Sequence, residues 1–328
     1  MAGNERVDVL IIGSGASGAA MAWSLADTKM RILCLEQGDW VRSTDLPSNG
    51  RDWEARRYTD FDISPNRRGR DTDYPVNDDN SLMKIANFNG VGGGTVIYTA
   101  HWPRMHPSDF KVKSLDGGRA PINSMWSKQF YETDLSRGFV RGYTLQFGRG
   151  TGPANEAITS AAAGRLPWGR DHHRVYRELL GHRVGIGVAC EDLPEEHNRV
   201  SLDPVLKDSN GIPAPRIDYT ISENTRRMME HGIARAEEIL AEAGATRVKA
   251  SRTVLNSPGH LLGTARMGND PERSVVNGWG RCHDVKNLFI VDGSIWVTSG
   301  GVNPTSTIQA LALYIADQMK QRLATLFD

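Results

Sequence analysis

Apolar residues cluster differently at the two ends of the chain and in its middle. At the start, Val7, Val9, Leu10, Ile11 and Ile12 form a compact apolar run, and Met30 to Leu35 form a second; each predicts a short buried strand. Between them, small residues carrying Met21, Trp23 and Leu25 read as a helix. Near the other end Leu288, Phe289, Ile290 and Val291 repeat the short buried run. They predict a strand over Asn287 to Val291, closed by Asp292-Gly293. Ile308, Leu311, Ile315 and Met319 then recur at spacings of three and four, which predicts a helix with Asn303 as N-cap and Pro304 in its first turn.

The middle follows another rhythm. Phe139 to Phe147, Val184 to Cys190, Arg199 to Leu202 and Arg216 to Tyr219 read as short strands separated by Gly and Pro. Between Ser222 and Gly244, apolar residues Met229, Ile233, Ala236, Leu240 and Ala243 mark an amphipathic helix stopped by Gly244. Strands grouped with one packing helix predict a sheet domain rather than further parallel units. Arg42 to Ser81 shows no sustained period; its Arg67, Arg68 and Arg70 are balanced by Asp60, Asp62, Asp71 and Asp73, the signature of a solvated loop, with a lid or dimer contact as the other reading of so long a loop.

The first two strands frame Gly13-Ser14-Gly15-Ala16-Ser17-Gly18, and the second ends at Glu36. Strand, glycine turn, helix, strand and acid, in that order, make the dinucleotide-binding arrangement. Gly13 forms the turn, Gly15 lets backbone approach a pyrophosphate, Gly18 lets helix meet strand, and the N–H groups at Ala16 and Ser17 face the phosphates. Glu36 then accepts hydrogen bonds from ribose hydroxyls. FAD and NAD both use this motif. A second glycine run, Gly90 to Gly94 followed by Thr95, strips side chains from a segment expected to turn β-like over Thr95 to Thr99, either to lie against a flat ring or as a flexible bulge.

Composition narrows the field. Lys plus Arg and Asp plus Glu both total 39, and this balance argues against a nucleic-acid or anionic-membrane partner. The 34 glycines among 328 residues exceed the usual share of about 7%, in keeping with backbone held close to a ligand. Cys34, Cys190 and Cys282 make neither a disulfide framework nor a metal-ligand set, and Asp171-His172-His173 and Cys282-His283 lack the paired spacing of a zinc site, so no metal is expected. No apolar run approaches the roughly 18 residues of a membrane span, and no signal-peptide pattern precedes the first strand. A cytoplasmic location is the expectation. His260 sits in PGHLLGTARMG, where turn-forming neighbours present an imidazole to a cavity or hold it as a hydrogen-bonded loop residue.

GSGASG, Glu36, VGGGT, GHLLGTARMG, NLFIVDGS and GGVNPTSTIQALALYIAD, in this order, resemble the glucose-methanol-choline (GMC) family of flavin oxidoreductases, its sugar and polyol dehydrogenase branch above all. The resemblance implies an α/β fold with an α+β second domain. A Rossmann-like FAD-binding domain would be built from both chain ends (1–110 and 257–328), and a smaller substrate domain with an antiparallel sheet would span 111–256. It implies non-covalent FAD, oxidation of an alcohol or sugar hydroxyl by hydride transfer to flavin, His260 as general base and Asn303 as its partner. The flavin contacts it implies are Gly13, Gly15, Ala16, Ser17, Gly18, Glu36, Gly93, Gly94, Thr95, Asp292, Gly293, Asn303, Pro304 and Thr305. His101 does not align with the histidine that some members link to FAD, and Tyr98 stands where many have Asn.

One departure is large. Family members carry a central segment that returns to the FAD domain, adds a strand and ends in a run like TPRLLLxS; here the HWPR region passes through SLDGGRAPINSMW directly into FYETDLSRGF. Beside the dehydrogenase reading stands a shortened, catalytically silent relative acting as a binding or structural protein. An NAD-dependent dehydrogenase fits the C-terminal His and Asn motifs less well, and a hydrolase lacks a GxSxG elbow. The electron acceptor is open, as is completion of the site by a second copy or a partner subunit.

Overall fold

In the computed structural model the chain is described over residues 6–46, 53–56, 58–97, 124–149, 152–252 and 260–326. Tyr98, Thr99, His101 and the domain boundaries expected near 110 and 257 lie outside the described residues.

Strand β1 (Val9–Ile12), helix α1 (Ala16–Leu25) and strand β2 (Ile32–Leu35) form one strand–helix–strand unit with the strands parallel, Val9 opposite Ile32 and Ile12 opposite Leu35. Two short helices, α2 (Trp53–Arg56) and α3 (Pro65–Arg68), follow. A three-stranded antiparallel sheet then comprises β3 (Ser124–Ser127), β4 (Tyr143–Arg149) and β5 (Val184–Cys190), with α4 (Pro153–Ala162) and α5 (His172–Leu179) between its last two strands. A separate hairpin of β6 (Arg199–Lys207) and β7 (Pro213–Asp218) leads into α6 (Glu223–Glu242), and the described fold ends with α7 (Thr305–Gln321). The fold is α/β with a Rossmann-like unit and antiparallel sheets.

Two apolar cores result. The first draws Ile11, Met21 and Leu25 from the start of the chain together with Val276, Ile295, Ala312, Ile315, Ala316 and Met319 from its end. The second packs Phe139, Tyr143, Leu145, Met228 and Ala236, joining β4 and β5 to α6. Ser222 caps α6 by accepting from the Thr225 N–H, and Gly244 follows the helix at φ +83°, as the sequence pattern anticipates.

Several expectations are corrected. The predicted strand at Asn287 to Val291 is reduced to a bridge between Phe289 and Arg281. Leu288 C=O accepts from the Cys282 N–H and Ile290 N–H donates to Gly280 C=O, so the backbone is consumed by a neighbouring turn while Phe289, Ile290 and Val291 still pack on the core. The run after the second glycine cluster is a 3-10 turn over Gly93–Val96, not β-like. The strand expected from Phe139 begins only at Tyr143, because the chain crosses itself there: Tyr143 N–H donates to Phe130 C=O, and a Cβ on Gly142 would fall on the Tyr131 carbonyl. Pro304, not Asn303, is the residue preceding α7.

The Arg42 to Ser81 region is not a solvated loop throughout: Glu54, Phe61, Asp62, Val76 and Asp78 are buried, and one burial is of an arginine. Arg68 is buried: it pairs with Asp73, donates to the carbonyls of Asp62 and Asn87, and lies over the Phe88 ring. Charge balance along the sequence cannot reveal which of several arginines is taken inside; burial becomes tolerable only where carboxylate and carbonyls together satisfy the guanidinium.

Candidate functional site

The glycine loop is where sequence and structure agree most closely. Gly13 takes φ +88°, a conformation side chains resist, and a Cβ on Gly18 would lie 2.0 Å from the Gly13 carbonyl oxygen, so helix and strand touch through bare backbone. No side chain caps α1 and its first turn carries no acidic residue. Its leading N–H groups are therefore a ready anion site. In front of Gly13 and Gly15 the space where a Cβ would sit has no heavy atom within 4 Å. Open backbone before a helix N-terminus is the kind of cradle that receives a pyrophosphate.

Glu36 closes the loop from the end of β2. Its Oε2 accepts from both the N–H and the hydroxyl of Ser14 at 2.8 Å, and its Oε1 accepts from the Gly38 N–H at 3.1 Å. Partial burial opposes ionisation of this carboxyl, but the bonds donated by Ser14, Gly38 and Gln37 outweigh it and leave the pKa below the usual carboxylate value. The second glycine run meets the same loop. Gly92 N–H donates to the Ser14 carbonyl at 3.1 Å, and a Cβ on Gly93 would reach the Gly15 Cα at 3.0 Å. Gly94 is exposed beside it, and the Thr95 hydroxyl turns back to the Gly92 carbonyl. Behind this junction Gly38 abuts Asn89 and Gly90, where an added Cβ would lie 2.2 Å from the Asn89 carbonyl carbon. Ser14, Gly38 and Gly92 thus join the expected residues; Ser14 was hidden as a variable position within the motif.

A second group forms at the start of α7. Asp292 is exposed and accepts from the Ser294 N–H and hydroxyl, holding the 3-10 turn Gly293–Ile295. Gly263, Ala265 and Met267 donate in turn to the carbonyls of Gly293, Ser294 and Ile295, which lays the segment following His260 along that turn; Leu261 and Leu262 pack over Gly293 beside Ile308 of α7. His260 is open to solvent at one side, yet the protein beneath it strips water from the imidazole and lowers its pKa from the ordinary histidine value. Thr305 opens α7, and Pro304 is buried in front of it. Asn303 does not cap the helix: its side-chain carbonyl is buried and accepts no hydrogen bond, and the Trp296 Nε1 and Thr298 hydroxyl on the same loop also lack partners. A buried polar atom without a partner costs about 1–3 kcal/mol, and three such atoms lie on this one loop.

The two groups are linked through the packed helices α1 and α7. Lys320, near the end of α7, donates to the Ser24 carbonyl and pairs with Asp27 at the end of α1. The C-terminal ends of these packed helices adjoin, and each helix carries the positive end of its dipole at its start, Ala16 in one and Thr305 in the other. No cluster of three or more His, Cys, Asp or Glu suited to a metal occurs among the described residues, and no described helix is long and apolar enough to cross a membrane.

The chain is similar to known proteins in sequence and in fold. Residues 194–312 match the family model described as GMC oxidoreductase, and residues 11–68 match that of an NAD(P)-binding Rossmann-like domain. The chain is 39% identical over 246 residues to 2-methyl-1,2-propanediol dehydrogenase of Mycolicibacterium austroafricanum, a match covering 74% of this chain and 44% of that protein. It is 42% identical over 141 residues to paromamine 6'-oxidase of Streptomyces fradiae (43% and 26%) and 36% identical over 141 residues to the fructose dehydrogenase large subunit of Gluconobacter japonicus (43% and 26%). These matches span less than half the length of the curated relatives. Among solved structures, pyridoxine 4-oxidase from Mesorbium loti aligns over 96% of this chain and 99% of its own with a TM-score of 0.50 at 15% identity, a likeness of fold.

Proposed function

The chain belongs to the GMC oxidoreductase family, and on that premise we propose that it binds FAD without a covalent link and oxidises a hydroxyl of a small alcohol, polyol or sugar. The reading rests chiefly on one observation: the Gly13–Gly18 loop, Glu36 and the Gly92–Thr95 turn, drawn from three stretches of sequence, meet in front of an uncapped helix with open space before them. In this reading residues 1–110 and 257–328 form the FAD unit and 111–256 the substrate unit, a division supported by the two separate cores.

Bound flavin would supply the acceptor for hydride from the alcohol carbon. The protein's own residues do the rest. Glu36, held ionised by Ser14 and Gly38, receives the ribose hydroxyls; the N–H groups at Gly15, Ala16 and Ser17 face the pyrophosphate. Gly93, Gly94 and Thr95 line the approach to the ring, while Asp292, Gly293, Pro304 and Thr305 bring the dipole of α7 to it. His260, neutral because burial lowers its pKa, takes the hydroxyl proton as the carbon is oxidised to a carbonyl. Asn303 holds the substrate oxygen through its side-chain NH2, leaving the hydroxyl proton to His260, while its unpartnered carbonyl is free to accept from a further donor on the substrate. None of the described residues of the second glycine run, Gly90 to Val96, is a histidine, cysteine or tyrosine that could form a covalent link, which supports the non-covalent reading.

The experiment is direct. The purified chain should be yellow or take up added FAD, and 2-methyl-1,2-propanediol added without oxygen should bleach the flavin band. Protein that takes up no FAD would overturn the proposal.

A further inference from the structure

The loop that carries Asn303 is fastened to the antiparallel sheet. Thr144, the second residue of β4 and fully buried, donates its hydroxyl to the Gly301 carbonyl at 2.6 Å, across 157 positions of sequence. Ser299 donates its hydroxyl to the Asp192 carbonyl at 2.7 Å. Between these two pins the loop presses flat on the sheet: a Cβ on Gly301 would meet the Ala189 carbonyl at 3.1 Å, the Tyr131 ring and the Tyr143 Cα at 3.4 Å. Asp192 is itself immobilised, its carboxylate accepting from the Tyr219 and Thr225 hydroxyls at the end of the hairpin and the start of α6. Two residues beyond Gly301, Asn303 turns its unpartnered carbonyl inward.

Resting on the function proposed above, we infer that Thr144 and Ser299 are positioning residues: the antiparallel sheet sets where Asn303 meets the substrate. Neither hydroxyl needs to touch substrate for this. A donor buried in a strand has one partner, the Gly301 carbonyl, and losing it would free that carbonyl and let the loop drift. Misplacement of a reacting group by about 1 Å costs up to roughly 100-fold in rate, so the effect would fall on the chemical step rather than on cofactor binding.

The test compares Thr144→Val, which keeps the shape and removes the donor, with Thr144→Ser, which keeps the donor, using 2-methyl-1,2-propanediol as the probe substrate. Thr144→Val should lower the limiting rate of anaerobic flavin reduction by about 10- to 100-fold. Its FAD content and its KM should stay close to the parent's, and Thr144→Ser should recover most of the rate. An unchanged rate in Thr144→Val, or equal losses in both variants, would overturn the inference. If Thr144→Val does not fold, Ser299→Ala is measured in its place with the same expectation. Hydrogen exchange of the amides from Val297 to Asn303 gives a readout independent of activity: faster in Thr144→Val with β5 unchanged supports the pin, and identical exchange refutes it. A parent chain that reduces no flavin would end the functional proposal while the exchange measurement still decides this one.

Discussion

The two cores close in different ways. In the antiparallel unit, Tyr143, Leu145 and Met228 have no exposed surface: one face of the sheet lies under α6, and Gly232 lets helix and sheet approach until a Cβ would strike Val188. In the Rossmann-like unit, Ile11 turns to α1 and α7 while Leu10, Ile12, Leu33 and Leu35 on the opposite face lie exposed, Ile12 by 83%. Parallel sheets are ordinarily covered on both faces, whereas an antiparallel sheet needs only one. Among the described residues the Rossmann-like unit thus shows one open face, while the antiparallel unit closes on its own helix; on the function proposed above, the first would hold FAD and the second would position the loop carrying Asn303.

Substitutions can pull these apart. The largest expected effect belongs to chemistry alone: His260→Ala should retain the yellow colour and lower flavin reduction by about 100- to 10,000-fold, read by anaerobic absorbance. Unchanged reduction would remove His260 from the role of base. Next, Leu145→Ala empties part of the closed core and should lower unfolding free energy by about 2–5 kcal/mol in denaturant titration, with FAD affinity little altered. A smaller effect follows pH. Burial lowers the His260 pKa, and only the neutral ring accepts a proton, so flavin reduction should be low in acid and rise through a midpoint below the ordinary histidine value of about 6.5. A midpoint above that value contradicts the assignment. The smallest effect tests the open face: Ile12→Ser should change stability by no more than about 0.5 kcal/mol, whereas a loss as large as that of Leu145→Ala would show the face to be covered in solution.

What could be read in advance follows from how locally each feature is determined. The glycine loop and Glu36 were legible because a tight turn, a helix start and a strand end impose spacing on neighbouring residues. The α6 helix and β5 were legible from periodicity. The apolar run at Phe289 predicted burial correctly and sheet membership wrongly, since side-chain pattern reports packing and says nothing of where backbone N–H groups find acceptors. Asn303 looked like a cap because Asn before Pro and a helix usually is one; the structure leaves its carbonyl free. Arg68 and Thr144 carried no signal at all. Each acquires its role from partners far along the chain, the Asn87 carbonyl for one and the Gly301 carbonyl for the other.

The seam at Gly38 has a consequence for how this molecule tolerates change. Main chain lies against main chain there, with no side-chain cushion to deform. Any methyl group at position 38 acts as a wedge, prising the turn after Glu36 away from the segment that leads to the second glycine run. In a library of random variants, that position should be as intolerant as the glycine loop itself, though it lies behind the cradle rather than in it.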